Sequence, residues 1–270
     1  MCTIVQQPSV GSIFCVSELG APAGVILLGG NHHAGTPDYE YHDMLASEWD
    51  LSRPESSAWP EVAFYRALIS DNGQPALDVG YTTGRLVIQY RSEGLDVDGV
   101  DLSPEMIEIC QRKADKAGVP VALYQQPMAE LELRRRYRTI IVASGSFGLL
   151  TDPGQASAAA RRFFSHLEEG GRLVISLIMY DPEDEQDKWA LEGERERPDG
   201  SMVRCWNRSR TDAASSLRHT QTRYELVRGG RVRGRAPQPL AGASLVSPRR
   251  DRGAPGGDQL RGSGPRWLRR

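Results

Sequence analysis

Apolar residues between positions 76 and 178 recur with two different periods. Short continuous apolar runs, typical of buried strands, occupy 76–79, 97–100, 121–124, 139–144 and 172–178. The segments 84–94, 103–118 and 152–171 between them repeat their apolar residues every three or four positions, as amphipathic helices do. Strands that alternate with helices through short connections predict an α/β fold with a doubly wound, mostly parallel sheet and helices on both faces.

Local signals define some of the boundaries and suggest further elements on either side. Ser103 followed by Pro104 is a typical helix start, and Gly118 and Gly170 are natural helix ends. Two short helices are expected upstream, at 38–50 and 56–69, the second capped by Ser56 or Ser57. Downstream, 201–228 reads as two extended segments around a turn, which predicts an antiparallel flap.

The two ends of the chain differ from this central part. Residues 1–36 show no sustained period, so we expect a poorly ordered leader. Residues 229–270 contain ten Arg, nine Gly and five Pro with scarcely any apolar periodicity, which predicts a disordered tail. The expected organisation is therefore a leader (1–36), one domain (37–228, with the flap at 201–228) and a tail (229–270).

Composition excludes several classes of protein. The tail carries +8, which leaves −10 on residues 1–228 of a chain whose net charge is −2. An acidic body disfavours DNA, because phosphate binding uses clustered Lys and Arg. The four cysteines form no C-x-x-C pair, which argues against a zinc site and a disulfide framework, and no metal spacing stands out. The same scattered cysteines make a reducing, cytoplasmic setting the default expectation, and no apolar run is long enough to span a membrane.

The turn after the first strand of the alternation is the strongest candidate for a binding site. Ligands of doubly wound sheets bind at the carboxyl ends of the strands, where Asp78, Gly80 and Gly84 lie. Glycines let the backbone approach a ligand, and the N–H groups of the following helix can bind a carboxylate. A dinucleotide-binding G-x-G-x-x-G motif that starts at Gly80 would place Thr82 and Arg85 at glycine positions, which disfavours an NAD(P)-dependent oxidoreductase.

The same residues resemble the acidic-x-G-x-G-x-G loop of class I S-adenosylmethionine-dependent methyltransferases. Asp78, Gly80 and Gly84 match that loop, with Thr82 at the middle glycine. Further similarity lies in "LDVDGVDLSPEMIEICQRKA", in which Asp101 ends the second strand, and in "YRTIIVASGSFGLLTDP" and "FFSHLEEGGRLVISL". The resemblance covers about 39–227 and is to the small-molecule type of methyltransferase domain, with a Rossmann-like fold.

The resemblance implies a cofactor site for S-adenosylmethionine. Asp101 would accept hydrogen bonds from the ribose hydroxyls, and Asp78 would orient the loop or the ligand's ammonium group. Three departures bear on affinity: Thr82 replaces a glycine, Pro127 stands where an acidic residue often contacts the adenine amino group, and Tyr81 is expected to crowd the pocket. The full set of expected cofactor residues is Tyr41, Asp78, Gly80, Thr82, Gly84, Asp101, Leu102, Met106, Met128 and Ala129.

The methyl acceptor is expected to be a small molecule that faces Ser144 and Ser146 at the end of the fourth strand. Local bonds to the turn backbone are an equal alternative for both serines. Methyl transfer from a sulfonium chiefly needs alignment and exclusion of water, so a general base is needed only for a poorly acidic acceptor. A fourth-strand "NPPY"-type tetrad of amino-directed nucleic-acid methyltransferases is absent, which also disfavours DNA. The sequence does not indicate an oligomeric state.

The tail has two interpretations. A frameshift in a GC-rich gene would produce Arg, Gly, Pro and Ala and remove Lys, and we favour it. The alternative is an RNA-binding tail, the only way in which nucleic acid would be a partner, although repeated R-G-G units are missing. A frameshift predicts that the terminal strand pair of the methyltransferase sheet is missing, that the fifth-strand edge is exposed, and that methyl transfer is impaired.

Overall fold

The computed structural model describes residues 3–7, 12–18, 46, 48, 60–178, 186–197, 199–212 and 217–245. Eleven strands are present in these ranges, arranged in two sheets. Four α-helices accompany them: α1 (Pro60–Asn72), α2 (Val87–Ser92), α3 (Pro104–Ala117) and α4 (Pro153–Ser165). Ala46 and Glu48 are also helical.

The main sheet has seven strands in the spatial order β1-β2-β7-β6-β3-β4-β5. The last five strands in this order, β7 to β5, are parallel, which confirms the predicted doubly wound α/β fold. The strands are β1 (Thr3–Gln7), β2 (Ser12–Glu18), β3 (Ala76–Val79), β4 (Val97–Asp101), β5 (Ala122–Gln125), β6 (Tyr137–Val142) and β7 (Leu167–Ile178).

Side-chain caps define where the two long helices that follow a strand begin. The Ser103 hydroxyl accepts a hydrogen bond from the Met106 N–H, and Gly118 ends α3 in the left-handed conformation. Asp152 caps α4 through the Gln155 N–H. This helix ends at Ser165, so Gly170 is not its terminus and lies within β7.

The core is divided between the two faces of the main sheet. On one face, Tyr65, Ile69 and Tyr90 of α1 and α2 are completely buried. On the other, Ala159 and Phe163 of α4 are buried against β3 and β6. Alternate strand residues belong to opposite clusters, as a sheet covered on both faces requires.

The expectation of a poorly ordered leader is wrong for two segments, β1 and β2. β1 and β2 form an antiparallel hairpin, and β2 pairs antiparallel with β7 from Ser12↔Ile178 to Glu18↔Arg172. The fifth-strand edge, expected to be exposed, is therefore covered by a segment from the beginning of the chain. Backbone hydrogen bonds to a free edge do not require an apolar period, which explains why the sequence pattern gave no signal.

The second sheet is antiparallel and follows the main one along the chain, in the order β11-β10-β9-β8. Its strands are β8 (Gln186–Glu196), β9 (Met202–Asp212), β10 (Leu217–Arg228) and β11 (Arg231–Leu245). β9 and β10 are the two extended segments of the predicted flap. Within the described ranges the strands after β7 belong to this second sheet.

The expected disorder of the tail is wrong for its first part, because β11 pairs with β10 from Arg231↔Arg228 to Leu245↔Leu217. Strand addition through the backbone tolerates the Gly and Pro content of β11. The pairing with β10 contains register shifts along its length. Residues 246–270 lie outside the described part of the chain.

No helix that the structure describes is both long and apolar enough to cross a bilayer.

Candidate active site

The glycine turn after β3 has the backbone conformation that its sequence predicts. Gly80, Thr82 and Gly84 have φ of 72°, 55° and 87°, all in the left-handed region. A Cβ on Gly80 would lie 3.0 Å from Ser146 Oγ, so this glycine faces the turn after β6. A Cβ on Gly84 would lie 2.4 Å from Cys110 Sγ, so α3 packs directly against this glycine.

Asp101 at the end of β4 is oriented by backbone donors. Its Oδ2 accepts from the Thr82 N–H at 2.8 Å, and its Oδ1 accepts from the Ser103 N–H at 3.0 Å. Burial raises the pKa of this carboxyl, and the two backbone bonds oppose the rise. A carboxylate oxygen can accept more than one hydrogen bond, so both oxygens retain capacity for the hydroxyls of a ligand.

Asp78 is the most unusual charged group of the site. Its side chain is 1% exposed, and neither carboxylate oxygen has a hydrogen-bond partner within the residues that the structure describes. Burial raises its pKa to about 7, against the opposing effect of the nearby Arg85 guanidinium. A buried carboxylate without a donor is costly, so Asp78 fits a cationic ligand group such as an ammonium.

Two residues that the sequence reasoning missed complete this edge of the sheet. Arg85 Nη2 lies 2.6 Å from Glu61 Oε1, and both side chains are nearly buried, at 13% and 10% exposure. The same Nη2 donates to Ser144 Oγ at 3.2 Å, and the Ser144 hydroxyl donates to Glu61 Oε2 at 3.5 Å. Ser144 itself has a φ of 53°, a strained conformation for a residue with a Cβ.

Other expected site residues lie in different surroundings. Met128, in a 3₁₀ turn, has its Cε 3.5 Å from the position of a Gly80 Cβ, so it borders the glycine turn. Met106 is fully buried with Ala46 and Ile109. The Leu102 carbonyl accepts from Gln125 Nε2, and Ala129 is partly exposed in the same 3₁₀ turn as Met128. Tyr41 lies outside the described residues.

The expectation that Tyr81 crowds the pocket is wrong. Its ring is 3% exposed and belongs to the core cluster of α1 and α2. The ring occupies the space over Gly99, where a Cβ would lie 2.6 Å from Tyr81 Cδ1. Because Gly99 of β4 carries no side chain, the strand leaves room for the tyrosine on the helix-covered face.

No metal site was found in the part of the chain that the structure describes, because no three His, Cys, Asp or Glu residues are grouped to bind an ion.

The tryptophans of the second sheet pack against arginine side chains. The Arg223 guanidinium lies 4.6 Å from the Trp189 ring centre and 5.4 Å from that of Trp206. Both indoles therefore share one arginine as a cation–π partner.

Comparison with known proteins agrees with this geometry. Residues 76–171, from β3 into β7, match the family described as "Methyltransferase domain". This segment is therefore similar to a methyltransferase domain. The sugar N-methyltransferase KedS8 from Streptoalloteichus sp. ATCC 53650 has a TM-score of 0.61 at 21% identity, over 83% of this chain and 86% of that chain. CalS10, an amino pentose methyltransferase from Micromonospora echinaspora, has a TM-score of 0.58 at 19% identity, over 81% and 86%. Both share the fold.

Curated relatives match a shorter part of this chain. A protein of Geobacillus sp. (strain WCH70) is 34% identical over 101 residues, which are 37% of this chain and 41% of the relative. A dTDP-3-amino-3,4,6-trideoxy-alpha-D-glucopyranose N,N-dimethyltransferase of Streptomyces venezuelae is 29% identical over 127 residues, 47% and 51% of the two chains. The chain therefore spans about half or less of the length of these two relatives.

Proposed function

We propose that the protein binds S-adenosylmethionine and transfers its methyl group to a small-molecule acceptor. The observation that carries the proposal is the pair of acidic residues on either side of the glycine turn: buried Asp78, without a donor, and backbone-oriented Asp101. The family match over residues 76–171 and the methyltransferases of similar fold support it. We also propose a cytoplasmic location, in keeping with the two free cysteines, Cys110 and Cys205, in the described ranges.

The residues of the chain would hold the cofactor by complementary charge and by close backbone approach. Asp101 accepts from the ribose hydroxyls, each such bond to a charged acceptor contributing about 1.5–3 kcal/mol. Asp78 pairs with the ammonium, and Gly80 leaves the space that a side chain would fill. Leu102, Met106, Met128 and Ala129 are proposed for the adenine side, with Tyr41 as cover, and Ser144 and Ser146 for the acceptor side.

When bound, the cofactor supplies a methyl group on a sulfonium, and the acceptor's electron pair forms the new bond as the carbon–sulfur bond breaks with its pair left on sulfur. The chain needs to orient the acceptor and exclude water. The turn after β6 borders the glycine turn through Gly80 and Ser146, so an acceptor that binds there would lie beside the cofactor site.

Calorimetric titration with S-adenosylhomocysteine tests the proposal. We expect saturable binding that falls at least about tenfold in Asp101→Ala, since one or more charge-assisted bonds are lost. Asp115→Ala is the matched control, because Asp115 lies at the exposed end of α3 and contacts Gln111. Absence of binding to the wild-type chain, or equal affinity of the Asp101→Ala variant, would contradict the proposal; heat from NAD(P) instead would support an oxidoreductase.

A further inference from the structure

A short helical segment lies between the candidate cofactor site and the second sheet. Ala46 and Glu48 are both helical, and their exposed fractions are 1% and 0%. At 3.6 residues per turn, positions two apart point about 200° away from each other around the helix axis, so they occupy nearly opposite faces. Burial of both positions therefore requires a separate packing partner on each side of the segment.

The partner of Ala46 is the start of α3. Ala46, Met106 and Ile109 form one buried cluster. Met106 is connected to the proposed ribose ligand by a serine. Its N–H donates to Ser103 Oγ at 3.2 Å, and the Ser103 N–H donates to Asp101 Oδ1 at 3.0 Å. A ligand that fixes Asp101 therefore also fixes the part of α3 against which Ala46 packs.

The partner of Glu48 is the second sheet, through two arginines. Glu48 Oε2 accepts from Arg195 Nη2 at 2.7 Å, and Glu48 Oε1 accepts from Arg197 Nε at 2.9 Å. Arg195 lies in β8, whereas Arg197 begins the turn to β9, where its N–H donates to the Ser201 carbonyl at 2.7 Å. One carboxylate therefore holds both the end of β8 and the turn that leads into β9.

The ionic nature of this contact bears on its role. A buried ion pair adds little stability relative to apolar packing, whereas the loss of one partner is costly. Apolar side chains would tolerate several positions of the second sheet, but the fully buried Glu48 carboxylate must meet its guanidinium donors at one place. The ion pair therefore specifies a single position of β8 relative to residues 46 and 48.

We propose that Ala46 and Glu48 form a latch that couples occupancy of the cofactor site to the position of the second sheet, with Glu48 as its positioning residue. This inference rests on the proposed function, since the ligand that fixes Asp101 is the proposed cofactor. A bound ligand favours the packed position of Ala46 on α3, and the Glu48 ion pair then holds β8 and the turn to β9 in place. By reciprocity, a second sheet that is held in place raises the affinity for the ligand.

Amide hydrogen exchange of the full chain, followed by mass spectrometry with and without saturating S-adenosylhomocysteine, tests the latch. In wild-type protein we expect slower exchange at 80–84 and 101–106, where the ligand is proposed to bind. We also expect exchange at 186–201, which contains none of the proposed cofactor residues, to slow by about fivefold or more.

The variants Glu48→Gln and Arg197→Gln are expected to reduce this slowing at 186–201 to about twofold or less and to preserve the slowing at 80–84. A merely structural role would change exchange equally with and without the ligand, so the ligand-induced difference measures the coupling alone. Glu48→Asp keeps the charge and should retain part of the slowing.

Glu194→Gln is the matched control, since Glu194 also lies in β8 and pairs with Arg204 at 2.5 Å, but both of these side chains are exposed. It should slow at 186–201 as much as wild type does. Circular dichroism checks that each variant is folded. If Glu48→Gln unfolds, Arg197→Gln decides, because it leaves the Glu48 carboxylate paired with Arg195.

The outcomes separate the latch from the proposed function. If S-adenosylhomocysteine binds but exchange at 186–201 does not slow in wild-type protein, the latch is overturned and the proposed function stands. The latch is also overturned if the slowing persists in both latch variants, or if Glu194→Gln abolishes it as they do. If S-adenosylhomocysteine does not bind wild-type protein, the proposed function fails and the latch fails with it.

Discussion

Thr82 is the residue of the glycine turn whose side chain conflicts with its backbone. At φ 55° the β-branched Cβ costs about 1–2 kcal/mol, and the Thr82 N–H is nevertheless held by Asp101. We expect Thr82→Gly to raise the free energy of unfolding by about 1 kcal/mol in urea titration, since relief of this strain exceeds the added entropy of the unfolded chain. The neighbouring Thr83→Gly is the control: Thr83 is buried and its φ is not positive, so this change should destabilise.

Asp78 should make stability depend on pH in the direction opposite to that of most carboxylates. Its pKa of about 7 exceeds the usual 3.8, so from about pH 4 to 7 the folded chain holds a proton that the unfolded chain has released. Its contribution to stability is present below that window and is lost as the pH rises through it. Relative to wild type, Asp78→Asn should therefore gain up to about 1.4 kcal/mol per pH unit between pH 5 and 7.

Urea unfolding of both proteins at several pH values measures this difference. A difference that does not change with pH would show that Asp78 is already ionised throughout the range in the folded chain. The same variant should lose affinity for S-adenosylhomocysteine, because a neutral amide cannot pair with the ammonium as a carboxylate does.

At the scale of elements, β4 packs against the glycine turn because the Tyr81 ring lies directly over Gly99. A Cβ on Gly99 would lie 2.6 Å from Tyr81 Cδ1 and 3.1 Å from Leu123 Cδ2, and the Tyr81 ring is enclosed by core residues. We expect Gly99→Ala to destabilise the protein by about 1–3 kcal/mol in denaturant titration. The double variant with Tyr81→Val should cost less than the sum of the two single changes.

Gly148→Ala is the control for the double-mutant cycle of Gly99→Ala and Tyr81→Val. No atom lies within 4 Å of a Cβ at Gly148, so its cost should stay within about 0.5 kcal/mol. Strict additivity of Gly99→Ala and Tyr81→Val would indicate that the ring and the glycine do not interact.

At the scale of the whole molecule, the N-terminal hairpin completes the main sheet. β2 pairs along β7 from Ser12 to Glu18, and removal of residues 1–18 would leave the hydrogen-bonding groups of that edge unpaired. We expect the shortened protein to aggregate, as measured by light scattering and size-exclusion chromatography. Removal of residues 246–270 is the control and should leave the main sheet unchanged. If both shortened proteins remain equally free of aggregates, that result would contradict the pairing of β2 with β7.

The second sheet is attached to the upstream part of the chain by a buried charge. Glu48 is fully buried, and its carboxylate accepts from Arg195 Nη2 at 2.7 Å and from Arg197 Nε at 2.9 Å. β11 continues this sheet, so part of the Arg-rich tail is structural. The frameshift origin of the tail stays a prediction, which the other reading frames of the gene would test.

What the sequence determined by itself is local. The kind and order of elements from 76 to 178, the Ser103 cap and the left-handed Gly80 and Gly84 follow from apolar period, capping chemistry and glycine geometry, each of which acts within a few residues. Asp78 and Asp101 were found because the ends of adjacent parallel strands meet at one edge.

What only the tertiary structure decided depends on pairing between distant segments. Glu61 and Ser144 are 83 positions apart and are brought together by the packing of α1 beside the end of β6. The pairing of β2 with β7 and of β11 with β10 relies on backbone groups that every residue carries, so composition gives no sign of it. Periodicity reports which face of an element is buried, and it does not report which partner buries that face.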